Sequence, residues 1–268
     1  MTIKMKNKGN IIKILAIMFV LVAITILSTQ NTEETILTSA QGLSTKKIGW
    51  GIKRNDNHKQ PDLGKLNKEL IEKNNGIAMG NNSDKYIYLT FDEGYEAGYT
   101  QQILATLKNN NVTATFFITA HYLNSATEEV EKMVNDGHII GNHTVNHKSM
   151  PSINNETIEK EIMQLHQSMY EKFGYEMKYL RPPKGEFNER TLQKTSSLGY
   201  KTVMWSFAYD DWDENKQGKE EYGKKKKITG QDIGKASCTT NVQKCDDVQA
   251  GLNGLIKNSQ QKKEVNIR

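Results

Sequence analysis

A chain of 268 residues is long enough for one substantial core, since a single α/β barrel takes roughly 200 to 250 residues, so one catalytic-size domain with additional ends is expected. The formal charge of +5 belongs to the ends: residues 1–13 carry +4 and residues 223–268 carry +6, which leaves −5 for residues 14–222. A mildly acidic middle argues against a nucleic-acid partner, and only two cysteines, Cys238 and Cys245, argue against a disulfide framework or a thiolate zinc cluster.

Lys4, Lys6, Lys8 and Lys13 precede residues 14–27, a stretch without charge. That is the basic and apolar pattern of an export segment, shorter than the about 20 residues of a full membrane span. Residues 1–30 are therefore expected to be a signal peptide or N-terminal membrane anchor, the chain's one link to a membrane. Residues 31–85 are polar, with a short helical pattern at 63–71 and an isolated Trp50, and are expected to form a linker and a small N-terminal elaboration.

From residue 86 the texture becomes regular. Strand-like runs at 86–91, 114–118, 138–140, 179–180 and 201–207 alternate with helical periods at 99–110, 125–136, 154–173 and 188–198. Gly137, Gly174 and Gly199 follow three of those helices, where a left-handed residue ends a helix most readily. Strands alternating with helices predict a parallel sheet, open or closed into a barrel.

The polar motifs follow the strands. FDEG (91–94) comes after the first, NHTVNH (142–147) after the third, RPPKG (181–185) after the fourth and YDDW (209–212) after the fifth. Parallel α/β sheets build sites at the carboxyl ends of their strands, so the four motifs are expected on one rim. His143 and His147 stand four residues apart, a spacing that suits one divalent ion, although a solvated polar loop would carry the same pair. Asp92 and Glu93 on the same rim tip the balance towards a metal, and two histidines with a carboxylate leave positions open for water and substrate.

Each remaining motif residue has a matching expectation. Asp92 is the candidate base for a water whose pKa the ion lowers towards ~7. Arg181 would orient a carboxylate and keep it ionised, with Asp211 as a second partner. Pro183 stiffens its loop, Gly185 lets the backbone approach a ligand, and Trp212 offers a flat face to a sugar or acyl group. His121, His138 and His166 have weaker claims.

These motifs, in type and order, resemble the polysaccharide deacetylase (NodB homology) family, carbohydrate esterase family 4. TFDEG, HTVNH, RPPKG and DDW look like its four successive motifs. TFDEGYEAGYT, ATFFITAHYL, GHIIGNHTVNH and YLRPPKGEF are similar to the branch of delta-lactam-biosynthetic N-acetylmuramic acid deacetylases. The resemblance implies a distorted (β/α) barrel of the NodB type over residues 86–222. It implies a divalent metal, zinc by expectation, on His143, His147 and Glu93, with Asp92 as base. The implied reaction removes acetyl groups from N-acetylmuramic acid in peptidoglycan glycan strands, outside the cytoplasmic membrane, in spore-cortex formation.

Two departures qualify that picture. Glu93 stands where the family usually has aspartate. The family also ends on a strand whose histidine is the general acid, yet no histidine follows His166, and residues 223–268 contain no aromatic residue or proline. The run Lys224–Lys227 suggests an adenine-rich tract at which the reading frame slipped. The expectation is a barrel lacking its last strands, and an enzyme that is weakened or reduced to a non-catalytic, glycan-binding remnant.

Overall fold

The computed structural model describes residues 42–55, 60–80, 88–208 and 233–237, the last as backbone alone. The chain divides into residues 1–44 and residues 45–268, and all elements below belong to the second unit. The expected export segment, Asp211, Trp212, the lysine run and both cysteines lie outside the described residues. Among the described residues no helix is long and apolar enough to cross a membrane.

The described strands are, in chain order, β1 (Ile48–Gly49), β2 (Tyr88–Glu93), β3 (Thr115–Ile118), β4 (Ile139–Asn142), β5 (Tyr179–Leu180), β6 (Glu186–Phe187), β7 (Lys201–Thr202), β8 (Phe207–Ala208) and β9 (Ile233–Ser237). Seven of them make a sheet in the order β7-β5-β4-β3-β2-β9-β8. Every pairing in it is parallel. The described rim motifs FDEG, NHTVNH and RPPKG therefore leave the sheet at the same end, because parallel strands share one carboxyl end.

Five residues of the tail do reach the sheet: β9 lies along β2 from Tyr88↔Ile233 to Asp92↔Ser237. Parallel pairing is made by main-chain groups, so five residues lacking apolar alternation can still cover an edge. What β9 brings to that place contains no histidine.

The described helices are α1 (Lys65–Lys73), α2 (Thr100–Asn109), α3 (Ala120–Ser125), α4 (Thr127–Asn135), α5 (Asn155–Phe173) and α6 (Glu189–Ser197). The apolar stripe of α2, Ile103, Leu104 and Leu107, is buried in the main core with Ile158, Ile162, Leu165 and Met169 of α5. Asn154 caps α5 by accepting from the Thr157 amide at 2.9 Å, and Gly174 ends it at φ 61°. Asn188 and Thr191 form a reciprocal capping box on α6.

Residues 45–80 do more than link. β1 pairs antiparallel with β6, which directly follows the RPPKG loop, and Ile77 bridges in parallel to Val203. Trp50, Leu63, Ile71 and Ala78 share a second core with Phe187, Leu192 and Met204. The N-terminal stretch thus buttresses the loop that carries Arg181.

Candidate active site

Period-two alternation along β2 turns Thr90 and Asp92 to one face and Phe91 and Glu93 to the other. Phe91 stacks on Phe116 with ring centroids 4.9 Å apart, on the helix-covered side. On the opposite face Asp92, Phe117 and Gly141 stand in register across three strands. A Cβ on Gly141 would collide with the Phe117 ring, so glycine is what lets that ring lie flat across the row.

Arg181, fully buried, lies over this floor, its guanidinium carbon 4.2 Å from the Phe117 ring centroid. Nη1 donates to Asp92 Oδ1 at 2.7 Å and to Thr90 Oγ1 at 2.9 Å. Nε and Nη2 donate to the carbonyl oxygens of Val203 and Met204, each at 3.2 Å. Burial pulls the guanidinium below its ordinary pKa, and the adjoining Asp92 carboxylate pushes it back up. A cation held this way keeps its partner carboxylate ionised and oriented.

His143 completes the centre. Its Nδ1 lies 2.8 Å from the Arg181 carbonyl oxygen, which can only accept, so Nδ1 carries the proton. In the neutral ring Nε2 is then the lone-pair nitrogen, and it lies 3.7 Å from Asp92 Oδ2. The His147 ring follows at 4.8 Å between centroids, tilted 62°. HTVNH forms a loop rather than a helix: Thr144 and His147 have φ values of 68° and 54°. Asn142 Oδ1 accepts from the Thr144 amide at 2.9 Å, and Thr144 Oγ1 accepts from the His147 amide at 3.1 Å.

The donors Asp92, His143 and His147 fit a divalent ion in type, because an imidazole whose tautomer is set through its other nitrogen is a prepared ligand. Among the described residues no three His, Cys, Asp or Glu side chains converge closely enough to hold one. Glu93, fully buried, belongs by strand alternation to the helix side, where its charge contributes to raising the pKa of Tyr122 after the larger effect of burial. The structure brings Asp92, Arg181, His143 and His147 together and leaves Glu93 behind the strand.

Pro183 is buried in a short 3-10 turn, Pro183–Gly185. Gly185, at φ 65°, has room for no side chain: a Cβ would lie 2.6 Å from the Trp205 ring and 3.1 Å from Trp50 Cβ. Its carbonyl accepts from the Trp50 amide at 2.8 Å, and Trp50 Nε1 donates to the Trp205 carbonyl at 2.8 Å. Trp205, 5.7 Å from the Arg181 guanidinium, is a site residue that the sequence reading missed. Its signal was present, since a tryptophan inside the fifth apolar run lies just before the YDDW rim motif.

Two of the weaker histidines, His166 and His138, have structural partners. His166 Nδ1 lies 2.6 Å from the Tyr200 hydroxyl, whose pKa burial pushes up to about 12. His138 packs edge-on against Phe116, and its Nδ1 accepts from the Ala114 amide at 3.3 Å. Burial holds the His138 pKa below the free value, against an opposing pull from Asp136. The unfolded chain therefore takes up this proton first, and folding stability is lost as pH falls below about 6.5 towards the lower folded value. Urea unfolding at pH 7 and pH 5 should show a smaller acid loss in His138→Gln than in the parent. Equal losses would mean that His138 stays accessible.

Sequence and fold also resemble known proteins. The family described as polysaccharide deacetylase matches residues 79–203. A peptidoglycan-N-acetylmuramic acid deacetylase of Bacillus subtilis, PdaA, is 42% identical over 184 residues, 68% of this chain and 70% of that protein. An uncharacterized 30.6 kDa protein of Geobacillus stearothermophilus is 46% identical over 180 residues, 67% of this chain and 68% of its own. The solved structure of PdaA, titled a family 4 carbohydrate esterase, superposes with a TM-score of 0.75 at 35% identity, covering 84% of this chain and 95% of that one. A family 4 carbohydrate esterase from Bacillus anthracis gives 0.70 at 33% identity, over 85% and 95% of the two chains.

Fold and site together define an amide-bond hydrolase of the carbohydrate esterase type. The chain belongs to the polysaccharide deacetylase family.

Proposed function

We propose that the chain removes acetyl groups from N-acetylmuramic acid in peptidoglycan, with a divalent ion, zinc by preference, on His143 and His147. The observation that carries this reading is Asp92, fixed by Arg181 at 2.7 Å through Oδ1 and turned to His143 Nε2 at 3.7 Å through Oδ2. Similarity to PdaA, a peptidoglycan-N-acetylmuramic acid deacetylase, supports the substrate. The ion, when bound, would polarise the acetyl carbonyl and lower the pKa of the attacking water.

Asp92 Oδ2 accepts a proton from that water as its oxygen bonds to the acetyl carbon. The carbon–nitrogen bond then breaks, the nitrogen takes a proton, and acetate and a free amine leave. Arg181 holds Asp92 ionised for the first transfer. No histidine follows His166 in this sequence, and return of the proton from Asp92 supplies the second transfer in a balanced way. The basic, apolar N-terminal pattern supports export, anchored or cleaved, and the resemblance to the delta-lactam branch supports a place in spore-cortex modification.

Acetate release from peptidoglycan glycan strands should disappear with a chelator, return with added zinc, and be absent from His143→Ala. Chelator-resistant release at the parent rate would reject the metal. A second reading, a non-catalytic glycan-binding remnant, is favoured by the missing late histidine. Replacing the tail beyond Trp212 with a family-like C-terminal segment separates the two: activity found only in the replaced form makes the natural chain the remnant.

A further inference from the structure

We infer that Glu161 is the positioning residue of the histidine pair, its carboxylate fixing from helix α5 the loop that presents His143 and His147 to a divalent cation. This rests on the metal reading above and extends it to a residue outside all four rim motifs.

A glutamate in the middle of a helix is ordinarily solvated. The Glu161 side chain is instead 4% exposed and turned under the loop. Oε2 accepts from the Asn146 amide at 2.7 Å, Oε1 accepts from Asn146 Nδ2 at 2.8 Å, and Lys148 Nζ lies 3.2 Å from Oε1. The Glu161 main-chain carbonyl also accepts from the Val145 amide at 3.0 Å. One residue thus binds positions 145, 146 and 148, around His147.

The loop needs such a hold. Thr144 and His147 both have positive φ, a region that residues with a Cβ seldom occupy and that persists only when surrounding contacts over-determine it. His143 begins from strand β4 and is tied to the Arg181 carbonyl, whereas His147 lies wholly within the loop. Placement of the second imidazole therefore depends on the hold on this loop, to which Glu161 contributes its bonds at positions 145, 146 and 148 beside the Thr144 Oγ1 bond to the His147 amide. A glutamine there preserves shape but replaces one acceptor oxygen with an NH2 group, which would face the donors of Asn146 and Lys148.

The test titrates the full chain with zinc chloride by calorimetry and follows amide exchange at residues 145–147. Glu161→Gln, folded by circular dichroism, should bind zinc about 10 to 100-fold more weakly, the range for groups that orient ligands. Those three amides should exchange faster. Glu159→Gln, an exposed neighbour on the same helix, should leave zinc affinity within about twofold, as for a surface ion pair. If Glu161→Gln does not fold, Asn146→Ala, which removes one of the same bonds from the loop side, should weaken zinc severalfold. Parent-like zinc affinity in a folded Glu161→Gln overturns the inference, whatever happens to exchange. Zinc binding that His143→Ala and His147→Ala leave unchanged overturns the metal reading itself, and Glu161 with it.

Discussion

Arg181→Met should lower the free energy of unfolding by about 3 to 5 kcal/mol, the usual cost of removing one partner from a buried ion pair. The guanidinium is fully buried, and its bonds go to Asp92, Thr90 and two carbonyl oxygens. Methionine fills much of the volume but donates to none of these acceptors, and it leaves the buried Asp92 carboxyl without its cation. Arg181→Lys should also be destabilising, because a point charge with three donors cannot span the same fork. Urea unfolding midpoints, with slopes compared to confirm an unchanged transition, give the answer. A loss under about 1 kcal/mol for methionine would mean that the pair is hydrated and that Arg181 is not the root of the site.

Asp92→Asn should keep the fold and lose the chemistry. The asparagine oxygen can still accept from Arg181 Nη1, so the hydrogen bond at 2.7 Å keeps an acceptor while the negative charge disappears. Without a base for the attacking water, acetate release should fall about 10²- to 10⁴-fold. The contrast between the two variants is the informative part: Arg181→Met acts first on stability, Asp92→Asn first on turnover. Turnover within tenfold of the parent would reject Asp92 as the base. In that case the two histidines would have to act with some other proton acceptor.

Much of the scaffold is legible in the sequence because repeating burial leaves a repeating pattern. The helix expected at 154–173 appears as Asn155–Phe173, and the one at 188–198 as Glu189–Ser197, each with its asparagine cap. Strands at 114–118 and 179–180 fall within a residue of their observed bounds. Short elements without a full period escape this signal. Helix α3, six residues at 120–125, precedes the stretch expected to be helical, and the single run at 201–207 divides into β7 and the start of β8.

The site is legible to a different degree. Motifs at strand ends identify Asp92, Arg181, His143 and His147, because a parallel sheet brings such ends to one edge. Which face a terminal strand residue takes is settled by local alternation, and so adjacency in sequence carried Glu93 into an expectation that its strand position does not favour. Glu161 and Trp205 lie outside any motif window. The role of Glu161 comes from packing between elements far apart in the chain, for which no local pattern exists, whereas Trp205 stands in an apolar run just before a rim motif. Gly185 is confined by the two tryptophans, so its residue type reflects backbone crowding around the Arg181 loop, in which Pro183 is also buried.

The belt joining Trp50 to the far end of the domain has a temporal consequence. The Trp50 indole donates to a carbonyl 155 positions downstream, and the Asp92 carboxylate to which Arg181 donates is 89 positions upstream. A ribosome releasing the chain from its amino end exposes Trp50 long before its acceptor has been synthesised. The nascent polypeptide must therefore keep an apolar flank wet until the last third emerges. Such delayed closure keeps the growing chain open until most of it has been synthesised.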